Sequence, residues 1–237
     1  MNGRMFYLPL GLPFLLLILL LIPLIFLFFM NVISSAFVRL GFNPVIAFAI
    51  LFLSLVGSAV NIPLKTVYSE GETIRAETRR IYGFLYPTPH VEYGTRKTTI
   101  ALNVGGALIP LMISLYLLAT FPIHLEFLVS IAVVVGVCYR FARLVPRVGI
   151  AIPTFIPPAT AAAVAVITTS LSPTPITYAP LVAYTSGVLG VLVGADLLHL
   201  KHIAGIGAPT ASIGGAGTFD GIFITGILSV LLVSFIC

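Results

Sequence analysis

Apolar residues in this chain come in long unbroken runs. From Leu10 to Met30, 21 residues pass without a charge. A helix crossing a bilayer needs about 20 such residues. Further apolar stretches follow, separated by Gly41-Phe42-Asn43-Pro44, Thr120-Phe121-Pro122, Pro173-Thr174-Pro175 and a glycine-rich segment at 205–217. Proline and glycine are the strongest local breakers of helices. The pattern predicts seven spans, at roughly 7–33, 44–62, 101–120, 125–141, 153–171, 178–200 and 219–236. No small-residue cleavage site follows the first run, so it reads as a retained helix. Pro23 predicts a kink within it.

One connection breaks the pattern. Residues 64–99 hold ten of the nineteen charged side chains. They mix Val, Ile, Tyr and Thr with the turn residues Ser69-Glu70-Gly71 and Pro87-Thr88-Pro89. This composition predicts short strands, with a hairpin among them. The expected fold is an all-α polytopic bundle, one transmembrane domain over 1–237, with 64–99 as a β-containing insertion.

Composition agrees with a lipid environment. The chain is 59% hydrophobic and 8% charged, with a mean hydropathy of +1.16. Soluble domains carry about 25% charged residues. The net charge of +5 does not point to nucleic acid, because the basic residues gather beside the spans. In the seven-span scheme eleven Lys and Arg share one side, and Arg39 stands alone on the other. Lys and Arg are retained in cytoplasmic loops. The N-terminus and the 64–99 insertion are therefore expected inside, and the C-terminus outside. The expected location is the plasma membrane of a microbial cell. Cys138 and Cys237 fall at opposite faces in this scheme, so no disulfide is expected, and neither has a metal-binding partner at recognised spacing.

Acids in apolar segments are expensive, and they are functional by default. The two aspartates of the chain, Asp196 and Asp220, fall on spans six and seven. Counted along each helix, both come to a similar depth near the cytoplasmic boundary. Asp220 alone could serve as a helix cap or first-turn acid. Asp196 lies near a helix C-terminus, where the dipole disfavours an anion; pairing with His199 or Lys201 at the interface is its bland alternative. Two close carboxylates cannot easily both ionise, so one keeps a proton. The charged one can then activate a water, while the protonated one polarises a carbonyl. Small residues around them, Gly190, Gly194, Ala195, Gly214, Gly215, Ala216, Gly217 and Gly221, would admit a peptide backbone. They would equally serve tight helix packing.

Gly217-Thr218-Phe219-Asp220, followed by Gly221-Ile222-Phe223, resembles the GxGD motif of presenilins and signal peptide peptidases. Ala195-Asp196-Leu197 resembles their other catalytic segment. Phe219 stands where that motif has its second glycine, and Ala195 where the family has tyrosine. The resemblance implies a catalytic dyad of Asp196 and Asp220 on the sixth and seventh helices. It implies peptide hydrolysis in a membrane-spanning substrate lined by Gly194, Gly215, Gly217, Phe219 and Gly221, with no cofactor. The Gly214 to Gly221 stretch also resembles uncharacterised microbial membrane proteins.

Two other classes stay open. A transporter could use the same aspartates as a proton or cation site beside a broken helix. A non-catalytic scaffold could present the insertion to a partner. His199 and His202 could join the aspartates around a metal, although histidines at this spacing beside a helix end are more often interfacial. Gly-x-Ser-x-Gly, His-Glu-x-x-His and P-loop signatures are absent. Asn61 and Asn103 are expected as hydrogen bonders between helices, or as site walls.

Overall fold

The computed structural model describes residues 11–81, 84–122, 125–145, 149–203, 208–215 and 221–237. They form two compact units, with the division inside the second helix, after Leu51.

In the first unit, α1 (Leu12–Arg39) runs through Pro23. Its apolar stretch from Phe14 to Arg39 is almost wholly exposed, an all-round apolar surface that suits lipid. Gly41, at φ 94°, ends it in the left-handed region that favours glycine. Asn43 then caps α2 (Pro44–Gly57), with Oδ1 accepting from the Ile46 N–H at 2.8 Å.

The second unit opens on a long hairpin. β1 (Asn61–Ile81) pairs antiparallel with β2 (Phe84–Asn103), from Asn61 opposite Asn103 out to Ile81 opposite Phe84. The strands expected in 64–99 are present, but they extend to 61 and 103. The second and third spans are corrected accordingly. The second helix stops at Gly57 where 62 was expected. The third begins with a π turn at Val104–Leu108 before α3 (Ile109–Thr120), where 101 was expected. The apolar residues at these borders, Ile62, Leu64, Ile100 and Leu102, belong to the hairpin base.

The remaining helices pack together. They are α4 (Leu125–Phe141), α5 (Ile156–Ser170) and α6 (Ala179–Val191). After the irregular stretch to α7 (Leu200–Ile203) comes α8 (Gly221–Ile236). A two-stranded ribbon, β3 (Arg143–Val145) with β4 (Gly149–Ala151), links α4 to α5. β5 (Thr210–Ile213) precedes α8 and adds to β2 in parallel, giving the sheet order β1-β2-β5.

α6 sits at the centre, against α4, α5 and α8. The interior mixes small and hydroxylated residues, among them Ala161, Ala165, Ala183, Ser186 and Ser229, with larger ones such as Phe127, Tyr184 and Ile222, while Leu128, Phe155, Ile167, Leu232 and Phe235 face outward. Small residues between packed helices, with large apolar side chains on the outer surface, suit association in lipid. Two helical stretches, Phe14–Arg39 and Ile176–Ile203, are long and apolar enough to cross a membrane. The chain is thus predominantly helical with an added hairpin.

Candidate functional site

Asp196 lies where α6 loses its regularity. The helix passes into a π turn, Leu192–Asp196, then a 3-10 turn, Leu197–His199. A π turn inserts an extra residue into the helix, and such turns are frequent at functional sites. The local sequence permits it because Gly194 brings this segment against α4. A Cβ at Gly194 would come within 2.4 Å of the Val135 carbonyl oxygen and 2.9 Å of the Cys138 Cβ. Gly194 is thus taken up by close helix contact. Asp196 is half-buried, two residues past the Gly194 that packs against Cys138 of α4. His199 donates from Nδ1 to the Ala195 carbonyl at 2.9 Å, which fixes its tautomer if neutral and leaves Nε2 as acceptor. Its ring rests on Tyr139 at 5.0 Å between centroids. His202 lies 6.5 Å from it, ring to ring. Among the described residues no group of three or more His, Cys, Asp or Glu is placed to hold a metal.

Asp220, Gly217 and Phe219 lie outside the described residues. Their flanks are clear. Gly214 and Gly215 both adopt φ 86°. Gly221 opens α8, and a Cβ built there would meet nothing within 4 Å among the described residues. α8 runs antiparallel and close to α6: Ser229 donates to the Ala183 carbonyl at 3.1 Å. Gly187 meets Thr225, and Gly226 meets Tyr184 and Val188. Following that register, Gly221 falls level with about Val191, so the start of α8 lies about 7 Å before the level of Asp196.

A polar knot ties the segment before α8 to the hairpin base. Asn61 Oδ1 accepts from Asn103 Nδ2 at 3.1 Å and from the Ser212 hydroxyl at 2.6 Å. Asn103 Nδ2 also donates to the Ser58 carbonyl at 2.7 Å, and its Oδ1 receives the Gly106 N–H at 2.7 Å. The Ser54 hydroxyl donates to the Gly105 carbonyl. Gly106 and Gly214 approach so closely that a Cβ at Gly106 would reach 1.9 Å from the Gly214 oxygen. The two asparagines therefore bond to each other across a strand pair, and Asn103 caps the π turn that leads into α3. They were expected between helices, and the difference follows from the strands reaching 61 and 103.

The sequence reading missed Glu126. It lies in the first turn of α4 and is buried, at 8% exposure. The Thr174 hydroxyl donates to its Oε1 at 2.6 Å, and the Ser172 hydroxyl donates to the same oxygen. The buried face of α4 runs Glu126, Ser130, Val134, Cys138, so acids stand near both ends of one helix face. Available signals were its isolation, as the only acid between Glu92 and Asp196, and the hydroxyl pair Ser172 and Thr174.

A protein-family model described as "Protein of unknown function (DUF1614)" matches residues 55–232. The chain belongs to this DUF1614 family. The match takes in the hairpin, the whole α3–α7 assembly and most of α8, and with them Asp196, Asp220 and Glu126. No curated protein and no solved structure matches the chain.

Proposed function

We propose that this protein is an intramembrane aspartyl protease of seven spans, with Asp196 and Asp220 as its dyad. The observation that supports this reading best is β5. This strand lies between the two aspartates in sequence and forms an edge of the described sheet. An extended peptide can add to such an edge through main-chain hydrogen bonds. A transmembrane helix must unwind before its peptide bonds are open to attack, and an edge strand leading into the Asp220 segment offers the unwound part a place. Gly215, Gly217, Phe219 and Gly221 would line its path, with Gly194 supporting Asp196 from behind.

The chemistry divides between the acids. The ionised carboxylate takes a proton from water as its oxygen bonds to the scissile carbonyl carbon. The protonated partner donates to the carbonyl oxygen. Collapse of that intermediate returns one hydroxyl proton to the second aspartate and breaks the C–N bond, while the first gives the departing amine the proton it took from water, so the dyad is restored. No cofactor is required.

Seven spans and a cytoplasmic hairpin belong to the same proposal. They draw on the eleven-to-one sorting of Lys and Arg. The shorter apolar helices, such as Ile156–Ser170, would cross a locally thinned bilayer. A second reading is proton or cation passage, favoured by Glu126 and Asp196 near the two ends of one α4 face. Val134, fully buried against Gly190 between them, closes that stripe midway and ranks passage second.

The test is cleavage of a single-span peptide by the purified protein in proteoliposomes. Wild type should cleave. Asp196→Asn and Asp220→Asn should each fold and lose cleavage by at least about a thousandfold, since the acids act as a unit. Folded wild type with no cleavage, together with cation uptake that both variants abolish, would overturn this reading in favour of passage.

A further inference from the structure

The end of α4 opposite Glu126 carries exposed positive charge. α4 closes on Tyr139, Arg140 and Phe141, and Arg143 follows at the start of β3. The irregular end of α6 runs through Leu197, Leu198 and His199 into α7, which holds Lys201 and His202. The Tyr139 ring lies 5.0 Å from that of His199, so the two segments stand side by side. Arg140 is next in sequence to one member of this ring pair, and Lys201 is two residues from the other. Arg140, Arg143, Lys201 and His202 are all exposed. The aspartyl chemistry uses none of them.

Three features define what this end would bind. First, its charge is not balanced. Over residues 139–145 and 192–203 the acid is Asp196, half-buried, against three exposed cations. Among the described residues no ion pair takes up Arg140, Arg143 or Lys201. Arg147 and Asp220, outside the described residues, add one charge of each sign, so two positive charges stay uncompensated. Second, the cations are interleaved with exposed apolar side chains, Phe141, Leu144, Leu197 and Leu198. Basic and large apolar residues alternating in a short segment suit the boundary between headgroups and acyl chains. Third, the donors match a phosphate. Two arginines three positions apart can each grip phosphate oxygens with two N–H groups, and a lysine adds a point charge. Basic residues beside a span can also serve orientation alone. In that case they attract anionic lipid without selecting one place for it.

We propose that the ends of α4 and of the α6–α7 stretch form a headgroup site for an anionic phospholipid, with Arg140 and Arg143 on one side of its phosphate and Lys201 on the other. The proposal rests on the chain spanning a membrane and is independent of whether it cleaves peptides. The acyl chains follow the apolar surface of Leu197 and Leu198. Phosphatidylglycerol keeps its negative charge, whereas phosphatidylcholine cancels its phosphate with its own choline. Each basic side chain near an anionic headgroup strengthens binding about fivefold. Two uncompensated charges therefore set the preference for phosphatidylglycerol at about twentyfold.

The full-length protein in nanodiscs of equal phosphatidylglycerol and phosphatidylcholine is released into native mass spectrometry, and retained lipids are counted. Wild type should keep one phosphatidylglycerol about twenty times more often than phosphatidylcholine. Arg140→Gln combined with Lys201→Gln should bring the two lipids to near-equal retention. Arg143→Gln combined with Lys201→Gln should do the same, which keeps the test decisive if the first pair fails to fold. Lys65→Gln with Lys97→Gln removes two exposed charges from the hairpin and should leave the preference intact. Equal retention of the two lipids by nanodisc-embedded wild type overturns the proposal and leaves the spans standing. An unchanged preference in either folded Arg–Lys variant also overturns it. An equal fall in the hairpin variant does so too, since the attraction would then belong to net charge and to no one place. Inorganic phosphate displacing the lipid at equal concentration would assign the cations to a free anion and overturn it as well. Peptide cleavage by wild type, present or absent, does not enter the readout.

Discussion

Some of the tightest contacts in this protein are made by residues with no side chain. Gly105 is the sharpest case. A Cβ there would sit 1.8 Å from the Ser54 carbonyl oxygen and 2.4 Å from the Ser58 nitrogen, both backbone atoms. Backbone cannot swing aside as a flexible side chain can. Gly105→Ala must therefore push α2 away from the π turn of α3 and break the Ser54 hydrogen bond. Overpacking of this kind costs about 1–3 kcal/mol, and the detergent-solubilised protein should melt several degrees lower. Gly136 is the built-in control. It lies within α4 with nothing inside 4 Å of its would-be Cβ. Gly136→Ala removes backbone freedom without a clash, so it should leave stability unchanged or raise it by about 0.5–1 kcal/mol, with no fall in melting temperature. Equal losses in the two variants would show that the close approach at Gly105 is not what holds α2 to α3.

Among the elements, the base of the hairpin is woven into the fold, and β5 pairs with that base alone. Below Val67 and Thr98 the strands carry Asn61, Asn103 and the β5 pairing. Above that pair, β2 has no further partner in β5. Joining Val67 to Thr98 through an Asn-Gly turn keeps the register pair and uses the turn that two-residue hairpins favour. The shortened protein should elute as the same species and melt within about 2 °C of wild type, on the scale expected for a near-neutral change. If β5 is the edge that receives substrate, cleavage should survive the truncation. Loss of cleavage by a folded truncated protein would move substrate docking to the outer hairpin. Much of this element was legible beforehand: Val, Ile and Tyr between turn residues announced strands. Its ends were not. Ile62, Leu64, Ile100 and Leu102 are as apolar as any helix residue, and a short apolar run does not separate a buried strand from a helix. β5 was illegible for another reason. Four residues between a proline and two glycines become a strand only through pairing with Thr99–Leu102, more than a hundred positions earlier. Glu126 was overlooked on similar grounds. As a first-turn acid it reads like an interfacial side chain, and its burial comes from Ser172 and Thr174, 46 and 48 residues later.

For the whole molecule, the outstanding quantity is orientation, because the aspartyl reading requires Asp196 near the cytoplasmic face and Glu126 near the outer one. The two cysteines give a direct readout. Cys138 is fully buried in the described fold and Cys237 is exposed at the end of α8. A membrane-impermeant maleimide applied to intact cells should label Cys237 alone. Cys138 should react only after denaturation. In a Cys237→Ser background, a cysteine placed at Ser69 in the hairpin should be silent from outside and react once the membrane is permeabilised. Lys and Arg sorting motivates this direction, since Lys65, Arg75, Arg79, Arg80, Arg96 and Lys97 all lie in or beside the hairpin strands. Moving six positive charges outward across a membrane potential that is negative inside is opposed at about 2.3 kcal/mol per charge per 100 mV. Labelling of the Ser69 position from outside would invert the topology, and Glu126 would then face the cytoplasmic leaflet. Labelling of both positions from one side would mean an even number of spans between them. One helix read as crossing would then lie along the surface, and α4, which holds both Glu126 and Arg140, is the first to suspect.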